Sequence, residues 1–418
     1  MKMTTLYGIF LIVVIVVGGV GFYAGTAFAP EKIVEKEVKP PRTIKLGTTM
    51  SVTGKYSPSV ERWTALTKEF VKMVNERGGI YVAEYKTRLP IEIVVYDDKS
   101  VPETSAEMIE RLITVDKVDF LVGPDWSPIG FAASVPAEKN KVPIVMANVL
   151  SLDIYKRGYK WIFGTPIPCA ERWEEYYFPM IMAQTPKPKT IAFMTEDLLY
   201  CQDVRKFSKL FAEQYGLTIV ADEVFPSGIK DATAMLVKIK PLNPDIVHIC
   251  AYEEATIVIA RQMKELDINP KDFHSIMGTG KAYEGLGKLG EYLGGTTQWI
   301  PGSPQLVPYI DYAELLKRAD CDVFKYTWTT SRMSSYLIML QAIENAGTLD
   351  RAKVRDVLAT MTFNTPIGHV KFKDDGLARN PAFPGQWIKG KFVVVGPEAA
   401  ATGKLVYPRP TWAQIEKG

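Results

Sequence analysis

The amino-acid sequence predicts an α/β protein made of two doubly wound parallel-sheet lobes. Three observations predict this class. Strand-like and helix-like patterns alternate from residue 44 to residue 150, a similar alternation recurs from residue 189 to residue 280, and the remainder holds too few elements for a third lobe. Alternating strands and helices form right-handed crossovers and a parallel sheet covered on both faces. The recurrence indicates two lobes of one architecture.

The first half of the chain contains four predicted strands separated by helical patterns. The strands are TIKLGTT (43–49), LPIEIVVYDD (89–98), VDFLVGP (118–124) and VPIVMAN (142–148). The helices are 61–75, which is followed by two glycines, 101–115, which has a proline near its start, and 132–140. This order of elements predicts the first doubly wound sheet.

The second half repeats the order, and the remainder adds shorter pieces. The strands are KTIAFMTED (189–197), LTIVADEVFP (217–226), PDIVHICAY (244–252) and FHSIMGTG (273–280), with helices over 201–215, 231–240 and 254–266. A strongly amphipathic helix over 332–346, a helix over 351–361 and the strands GHVKFK (368–373) and GQWIKGKFVVV (385–395) follow. We expect these later pieces to complete the two sheets. A chain that crosses between lobes more than once forms a multi-strand hinge, which permits a cleft to open and close.

These patterns divide the chain into four parts. The parts are a transmembrane anchor or signal peptide over 1–29, a charged, proline-containing linker over 30–42, a first lobe over 43–165 plus 295–380, and a second lobe over 166–294 plus 381–418.

The N-terminal segment predicts export. Residues 6–29 contain no charged side chain, and about 20 apolar residues are enough to cross a bilayer as a helix. Ala27-Phe28-Ala29 has the small-residue form of a signal cleavage site, but Pro30 follows directly. An uncleaved anchor is the favoured interpretation, and a cleaved signal is the alternative. Either one places the lobes outside the cytoplasm, tethered to the cell membrane or secreted.

Composition excludes several classes of function. The chain has 418 residues, 47% hydrophobic and 23% charged, with a net charge of +3 and no basic stripe, so we expect no nucleic-acid partner. The nucleophile elbow, the phosphate-binding loop and the zinc-protease motif are all missing, and the glycine-rich GTGKAYEGLG matches no nucleotide fingerprint. We therefore expect neither an enzyme nor a cofactor.

The cysteines and histidines give weak signals. The four cysteines form no C-x-x-C pair, although Cys169 and Cys201 lie near predicted strand ends and a disulfide between them is possible. The three histidines are scattered along the sequence, which predicts no metal site.

Polar and aromatic residues follow the predicted strands. Ligands of open α/β sheets bind beyond the carboxyl ends of the strands. The residues there are hydroxyls (Ser51, Thr53, Ser127, Ser151, Thr279), aromatic rings (Tyr56, Trp126, Tyr200, Tyr252, Tyr283) and the amide of Asn148. This mixture suits a small polar molecule enclosed by rings. Ser127 begins a predicted helix, where it either offers donors to an anion or only caps its own helix.

Several of these stretches together resemble the branched-chain amino-acid branch of the type I extracytoplasmic solute-binding proteins of ABC importers. The stretches are IKLGTTMSVTGKYS, VNERGGI, IEIVVYDD, VDFLVGPDWS, VPIVMANVLS and GQWIKGKFVVVGPEAAATGKLVYPRP. Their order and spacing cover residues 43 to 410. The resemblance implies a ligand clasped between two lobes of the type I periplasmic binding protein fold and delivered to membrane permease subunits.

The resemblance also assigns roles to positions. It implies that Ser127 binds a ligand carboxylate, that the positions of Asn148 and Leu150, with Ser151 adjacent, face the carboxylate and amine, and that Tyr56, Tyr200 and Tyr252 line the cleft. Two positions depart from the family pattern. Gly280, beside Thr279, stands where the family has a glutamate for the ligand ammonium, and Leu150 stands where it has a threonine.

These departures put a standard α-amino acid in doubt, because an unpaired ammonium in a closed cleft is costly. An amino acid would need Asp125, Glu196 or Glu253 as its partner. A carboxylate, an amide or an aromatic acid, with Trp126 and Tyr283 as walls, is the alternative. We expect a monomeric substrate-binding protein of an ABC transporter; a ligand-sensing module that acts on a signalling partner is the other interpretation.

Overall fold

The computed structural model describes residues 42–165, 169–300, 303–304 and 306–417. The predicted anchor or signal over 1–29 and the linker over 30–42, apart from Arg42, lie outside the described residues. Within the described residues, none of the helices combines the length and the apolar character needed to cross a membrane.

The first sheet has five parallel strands in the order β4-β1-β5-β6-β7. The strands of this half, including the small hairpin β2–β3, are β1 Ile44–Met50, β2 Ile80–Val82, β3 Thr87–Leu89, β4 Ile91–Asp97, β5 Phe120–Val122, β6 Ile144–Met146 and β7 Ile162–Gly164. Its helices are α1 Ser57–Val60, α2 Trp63–Glu76, α3 Pro102–Thr114, α4 Ser127–Lys139 and α5 Leu152–Tyr155.

The second sheet has seven strands in the order β18-β17-β12-β11-β10-β8-β9. The remaining strands are β8 Thr190–Glu196, β9 Thr218–Phe225, β10 Ile246–Cys250, β11 Asp272–Ser275, β12 Leu293–Thr297, β13 Leu306–Val307, β14 Ile310–Asp311, β15 Thr362–Thr365, β16 Gly368–Lys371, β17 Phe383–Ile388 and β18 Lys391–Val394. The remaining helices are α6 Tyr177–Met182, α7 Leu199–Gln214, α8 Thr233–Ile239, α9 Glu253–Glu265, α10 Lys281–Glu284, α11 Tyr312–Arg318, α12 Thr329–Ala346, α13 Arg351–Thr360 and α14 Trp412–Lys417.

The predicted fold class of two doubly wound lobes is confirmed, with two corrections to the later strands. The segment 385–395 does join the second sheet, but as the hairpin β17–β18, which is closed by a tight turn at Lys389 and Gly390 with positive φ; β17 pairs antiparallel with β12. The segment 368–373 joins neither large sheet. Its strand β16 pairs with β15 in a separate hairpin.

The two lobes are connected by several passages of the chain. The chain first runs from the first sheet to the second after β7. It returns to the first lobe with α12, which packs on β2, β5 and β6. It then enters the second sheet again at β17. Repeated passages of this kind form the predicted multi-strand hinge.

Helix α12 differs from its prediction. We expected an amphipathic helix, but the run Thr329–Ile343 is buried on every side. Its polar side chains are satisfied internally: Ser334 and Ser335 donate to the carbonyls of Thr330 and Arg332, both at 2.7 Å. A helix that is buried all round belongs to a core, and α12 places its polar groups beside the cleft.

Candidate functional site

Loops from both sheets meet in one aromatic cluster. Tyr56 follows β1, Trp126 follows β5, and Tyr252 follows β10 of the other sheet. The rings of Tyr56 and Trp126 stack with centroids 4.7 Å apart, and the ring of Tyr252 lies 6.0 Å and 5.9 Å from them. Each residue follows the carboxyl end of a parallel strand, which is the ligand-binding edge of such sheets. The structure therefore brings these three predicted residues together where the lobes meet.

A second aromatic group comes from the hinge. Trp173 lies in the passage between the sheets, Trp328 immediately precedes α12, and Tyr200 lies in the first turn of α7. The ring centroid of Trp173 is 5.2 Å from that of Tyr200 and 6.2 Å from that of Trp328. The hinge therefore supplies two rings that the sequence analysis did not include, since only the folded topology returns these connecting segments to the cleft.

Four buried polar atoms around these rings have no hydrogen-bond partner. They are the indole nitrogens of Trp126 and Trp173, the hydroxyl of Tyr200 and the amide oxygen of Asn148. A buried polar group without a partner costs about 1–3 kcal/mol. Unpartnered groups close to the aromatic rings where the lobes meet are expected of a site whose ligand supplies the missing partners.

Ser127 forms hydrogen bonds within its own lobe. Its Oγ accepts the N–H groups of Leu150 and Ser151, both at 3.0 Å. A hydroxyl has two acceptor positions and one donor, so Ser127 keeps its O–H for a further acceptor. The simple capping interpretation is wrong, because Trp126 occupies the N-cap and no side chain caps α4. The backbone N–H of Leu150, which stands where the family has a threonine, is thereby occupied.

Ser151 reaches the opposite lobe. Its hydroxyl donates to Oδ2 of Asp203 at 2.9 Å, and the N–H of Leu152 donates to the same oxygen at 2.9 Å. Asp203 lies on α7 of the second lobe, so this contact is a latch between the lobes. We call Ser151, Leu152 and Asp203 the interlobe latch.

Asn148 is held by a buried charge network. Arg332 on α12 is fully buried and pairs with Asp125, and it also donates to Thr48 Oγ1 at 2.7 Å and to the Tyr336 hydroxyl at 3.0 Å. Asn148 Nδ2 donates to Asp125 Oδ1 at 2.6 Å. The network fixes the amide group and leaves its oxygen as the unpartnered acceptor. We call Arg332, Asp125 and Asn148 the buried network.

Two of the three acidic residues considered as partners for a ligand ammonium already have other partners. Asp125 belongs to the buried network. Glu196 accepts the N–H of Tyr252 at 2.9 Å and lies 3.6 Å from the Lys55 ammonium. Burial, together with the carboxylates of Glu254 and Glu196, raises the pKa of Glu253 to about 7. Among the three acids considered, only Glu253 is available, and at neutral pH it is only partly charged.

A cavity of about 410 Å³ opens beside the aromatic cluster, between the two lobes and the hinge. It is lined by Lys55, Tyr56, Pro58, Ser59, Tyr252, Glu253, Glu254, Gly280, Lys281, Ala282, Lys325, Tyr326, Thr327 and Trp328. Its size is within the range of small-ligand pockets. Gly280 has φ +105° and is the N-cap of α10. At the position where the family has a glutamate, this chain therefore contributes only backbone atoms to the cavity wall.

The predictions for Thr279, Tyr283 and the cysteine pair have other outcomes. Thr279 is buried and contacts the carbonyl of Thr296 at 3.1 Å and the hydroxyl of Thr327 at 3.2 Å. Tyr283, expected as a cleft wall, packs instead in the core of the second lobe, 6.2 Å from Trp387. The possible disulfide does not form, since Cys169 and Cys201 are both free and buried.

A two-lobed α/β fold with a polar and aromatic cleft at its hinge defines a solute-binding protein. The family described as periplasmic binding protein matches residues 43–391, and the chain belongs to it. This confirms the resemblance seen in the sequence.

The relatives bind different solutes. A leucine-, isoleucine-, valine-, threonine- and alanine-binding protein of Pseudomonas aeruginosa is 25% identical over 345 residues, which are 81% of this chain and 88% of the relative. A leucine-binding protein of Thermotoga maritima has a TM-score of 0.72 and 20% identity over 85% of this chain and 98% of its own. A solute-binding protein of an ABC transporter from R. palustris, in complex with 4-hydroxybenzoate, has a TM-score of 0.70 and 18% identity over 90% of this chain and 100% of its own. These relatives are solute-binding proteins, not enzymes.

Proposed function

We propose that this protein is the extracytoplasmic substrate-binding protein of an ABC transporter, and that its ligand is a small carboxylate with an aromatic or branched apolar body. The lobes close on the ligand, and the closed form is presented to the permease. The single observation that carries the proposal is the set of unpartnered donors among the buried rings beside the cavity between the two lobes.

The unpartnered donors favour a ligand group that accepts several hydrogen bonds. The indole N–H groups of Trp126 and Trp173 can only donate, and the Tyr200 hydroxyl can do so. Hydrogen bonds from such donors to a carboxylate are among the stronger ones in proteins. The rings that carry them supply apolar walls for the rest of the ligand.

The acids argue against an α-ammonium group. Asp125 is already paired with Arg332, and Glu196 lies beside Lys55. Partial burial near other carboxylates raises the pKa of Glu253 to about 7, so it is a weak partner. Burying an ammonium without a charged partner is unfavourable. Relatives that bind leucine and relatives that bind 4-hydroxybenzoate share this fold, so the fold alone permits either class.

A thermal-shift screen of the purified protein tests the proposal. The panel contains benzoate, 4-hydroxybenzoate, 4-methylpentanoate, leucine and phenylalanine. A ligand present at about 100 times its Kd stabilises the folded state by roughly 2.7 kcal/mol. We expect the acids without an ammonium group to raise the melting temperature most. A panel in which only the amino acids stabilise the protein would contradict the ligand class while leaving solute binding intact.

The role of the donors is tested by Trp126→Phe, which removes one N–H and keeps a ring. We expect the Kd of the ligand found in the screen to rise by about 10-fold or more, as for loss of a hydrogen bond to a charged group. Trp161→Phe is the control. Trp161 lies just before the amino end of β7, against Arg355, whereas Trp126 follows the carboxyl end of β5. Equal affinities for the two variants would count against the donor role.

Delivery to a permease is tested by uptake of the bound ligand in membrane vesicles that contain the partner transporter. Uptake that depends on the binding protein is the expected result. A ligand that binds without stimulating any uptake would favour the sensing alternative.

A further inference from the structure

Two histidines and a glutamate converge in the core of the second lobe, beneath the cleft. His248 on β10 and His274 on β11 are direct partners in the parallel register, so their side chains share one face of the sheet. Glu174 enters from the hinge passage before α6 and is buried with them. We call these three residues the Glu-His-His triad. The histidines are scattered along the sequence and predict no metal site there, because the register that pairs β10 with β11 is not visible in the sequence.

We propose that the Glu-His-His triad binds a Zn²⁺ ion. Glu174 Oε1 lies 3.1 Å from His248 Nε2 and 3.4 Å from His274 Nε2. One ligand atom from each residue lies within 4.8 Å of the others. Tetrahedral zinc with bonds of about 2.0–2.2 Å places neighbouring ligand atoms about 3.3 Å apart. The two measured separations agree with that geometry.

A hydrogen-bond network alone leaves this cluster incomplete. His248 Nε2 shares a hydrogen bond with Glu174 Oε1. His274 Nε2 and Glu174 Oε2, both on fully buried side chains, have no hydrogen-bond partner. A metal ion bound by both imidazoles and the carboxylate satisfies these atoms, and two histidines with one glutamate form a common zinc ligand set.

The surrounding residues hold the imidazole rings in this orientation. The ring of Tyr177 stacks on that of His274 with centroids 3.9 Å apart, and its hydroxyl donates to Asp272 at 2.7 Å. A side chain at Gly294 would place its Cβ 2.8 Å from His274 Nδ1. His248 Nδ1 lies 3.5 Å from Cys250 Sγ, which turns its Nε2 toward Glu174. Outer contacts that fix ligand orientation are typical of metal sites.

The position of the triad links it to the hinge. Glu174 follows Trp173, whose ring contacts Tyr200 and Trp328 in the cleft. A bound ion would fix the hinge passage against the second sheet and thereby the floor of the cleft. This inference is independent of the proposed function, because none of the three triad residues lines the cavity between the lobes.

The test is zinc binding by tag-free protein treated with a chelator and then dialysed. The probe is Zn²⁺ in competition with a chromogenic chelator, and Co²⁺ serves as a spectroscopic substitute. We expect one ion per chain, a higher melting temperature with Zn²⁺, and visible absorption bands of four-coordinate Co²⁺. His274→Gln and Glu174→Gln should each weaken binding by at least about 10-fold.

His369→Gln is the matched control. It changes the third histidine of the chain, which is exposed on β16, and should leave stoichiometry and affinity unchanged. Wild-type protein that binds no more zinc than a protein-free blank would overturn the proposal, whether or not the variants fold. Binding that His369→Gln reduces as much as His274→Gln does would also overturn it, since it would then be surface binding.

Discussion

The first-lobe wall of the cleft is built from bonded charges, whereas the second-lobe wall is built from rings and acids with few partners. On the first side, Arg332, Asp125 and Asn148 bond to one another inside the core. On the second side, the Tyr200 hydroxyl has no partner, and burial raises the pKa of Glu253 to about 7. The buried network is therefore fixed before a ligand arrives, whereas the Tyr200 hydroxyl and the Glu253 carboxylate are completed by the ligand or by a proton. Closure of the lobes therefore brings the preorganised buried network against second-lobe groups whose hydrogen bonding or protonation changes when a ligand binds.

The largest effect is expected at the first wall, from Arg332→Met. The substitution leaves the Asp125 carboxylate buried without its charged partner, and breaking such a pair costs about 3–5 kcal/mol. Urea unfolding should show a free energy of unfolding lower by that amount.

The double variant Arg332→Met with Asp125→Asn provides the control, because it removes both charges. We expect it to recover most of the lost stability. If Arg332→Met alone had the same free energy of unfolding as the wild type, the first-lobe side of the cleft would not depend on the buried network for its stability.

The second wall is tested by Tyr200→Phe, which removes only a hydroxyl. Stability should change little or rise slightly, because the hydroxyl is unpartnered in the ligand-free protein. The affinity for a carboxylate should fall by about 10-fold or more, measured by calorimetric titration. Loss of stability without loss of affinity would mean that the hydroxyl serves the fold.

The pH dependence of binding tests Glu253. Its pKa of about 7 in the closed protein lies above the value of about 4.3 for an exposed glutamate, so closure is favoured when the group is protonated. Between about pH 5 and pH 7 the affinity for a carboxylate should fall by up to 10-fold per pH unit, and above pH 7 it should level off.

Glu253→Gln should remove this dependence, and its affinity should exceed that of the wild type most at pH 7 and above. An affinity that rises between pH 6 and pH 8 would indicate the opposite ligand class, because an ionised Glu253 would then be pairing with an ammonium group.

The smallest effect is expected at the interlobe latch, where the two walls meet. Asp203→Ala removes the acceptor shared by Ser151 and Leu152, and a net loss of about 1 kcal/mol corresponds to a Kd raised roughly 5-fold. The dissociation rate should carry most of the change, since the latch exists only when the lobes are together. Asp153→Ala is the control, because Asp153 pairs at the surface with Lys156 of its own lobe.

The sequence predicts the fold well because local patterns determine most of it. The alternation of strands and helices, and the rule that ligands bind at carboxyl strand ends, bring Tyr56, Trp126 and Tyr252 together. The sequence could not show which residues arrive from distant segments. Arg332 lies in a helical pattern whose charged residues are normally exposed, and its burial follows only from how α12 packs on the first sheet.

The other missed residues share this cause. Trp173 and Trp328 stand in connecting segments with no strand or helix pattern, and the hinge topology alone returns them to the cleft. His248 and His274 are distant in the sequence and become neighbours through strand register. Tyr283 shows the reverse error, since it follows a strand end but turns into the core of its own lobe.

The most direct test of the cleft is a calorimetric comparison of leucine with 4-methylpentanoate, which differ only in the α-ammonium group. The same comparison is made with phenylalanine and 3-phenylpropanoate. We predict that in the pair whose apolar body fits the cleft, the acid without the ammonium group binds at least about 10-fold more tightly, since Asp125 and Glu196 already lie beside cations and the pKa of Glu253 is raised. Tighter binding of the amino acid in either pair would contradict it.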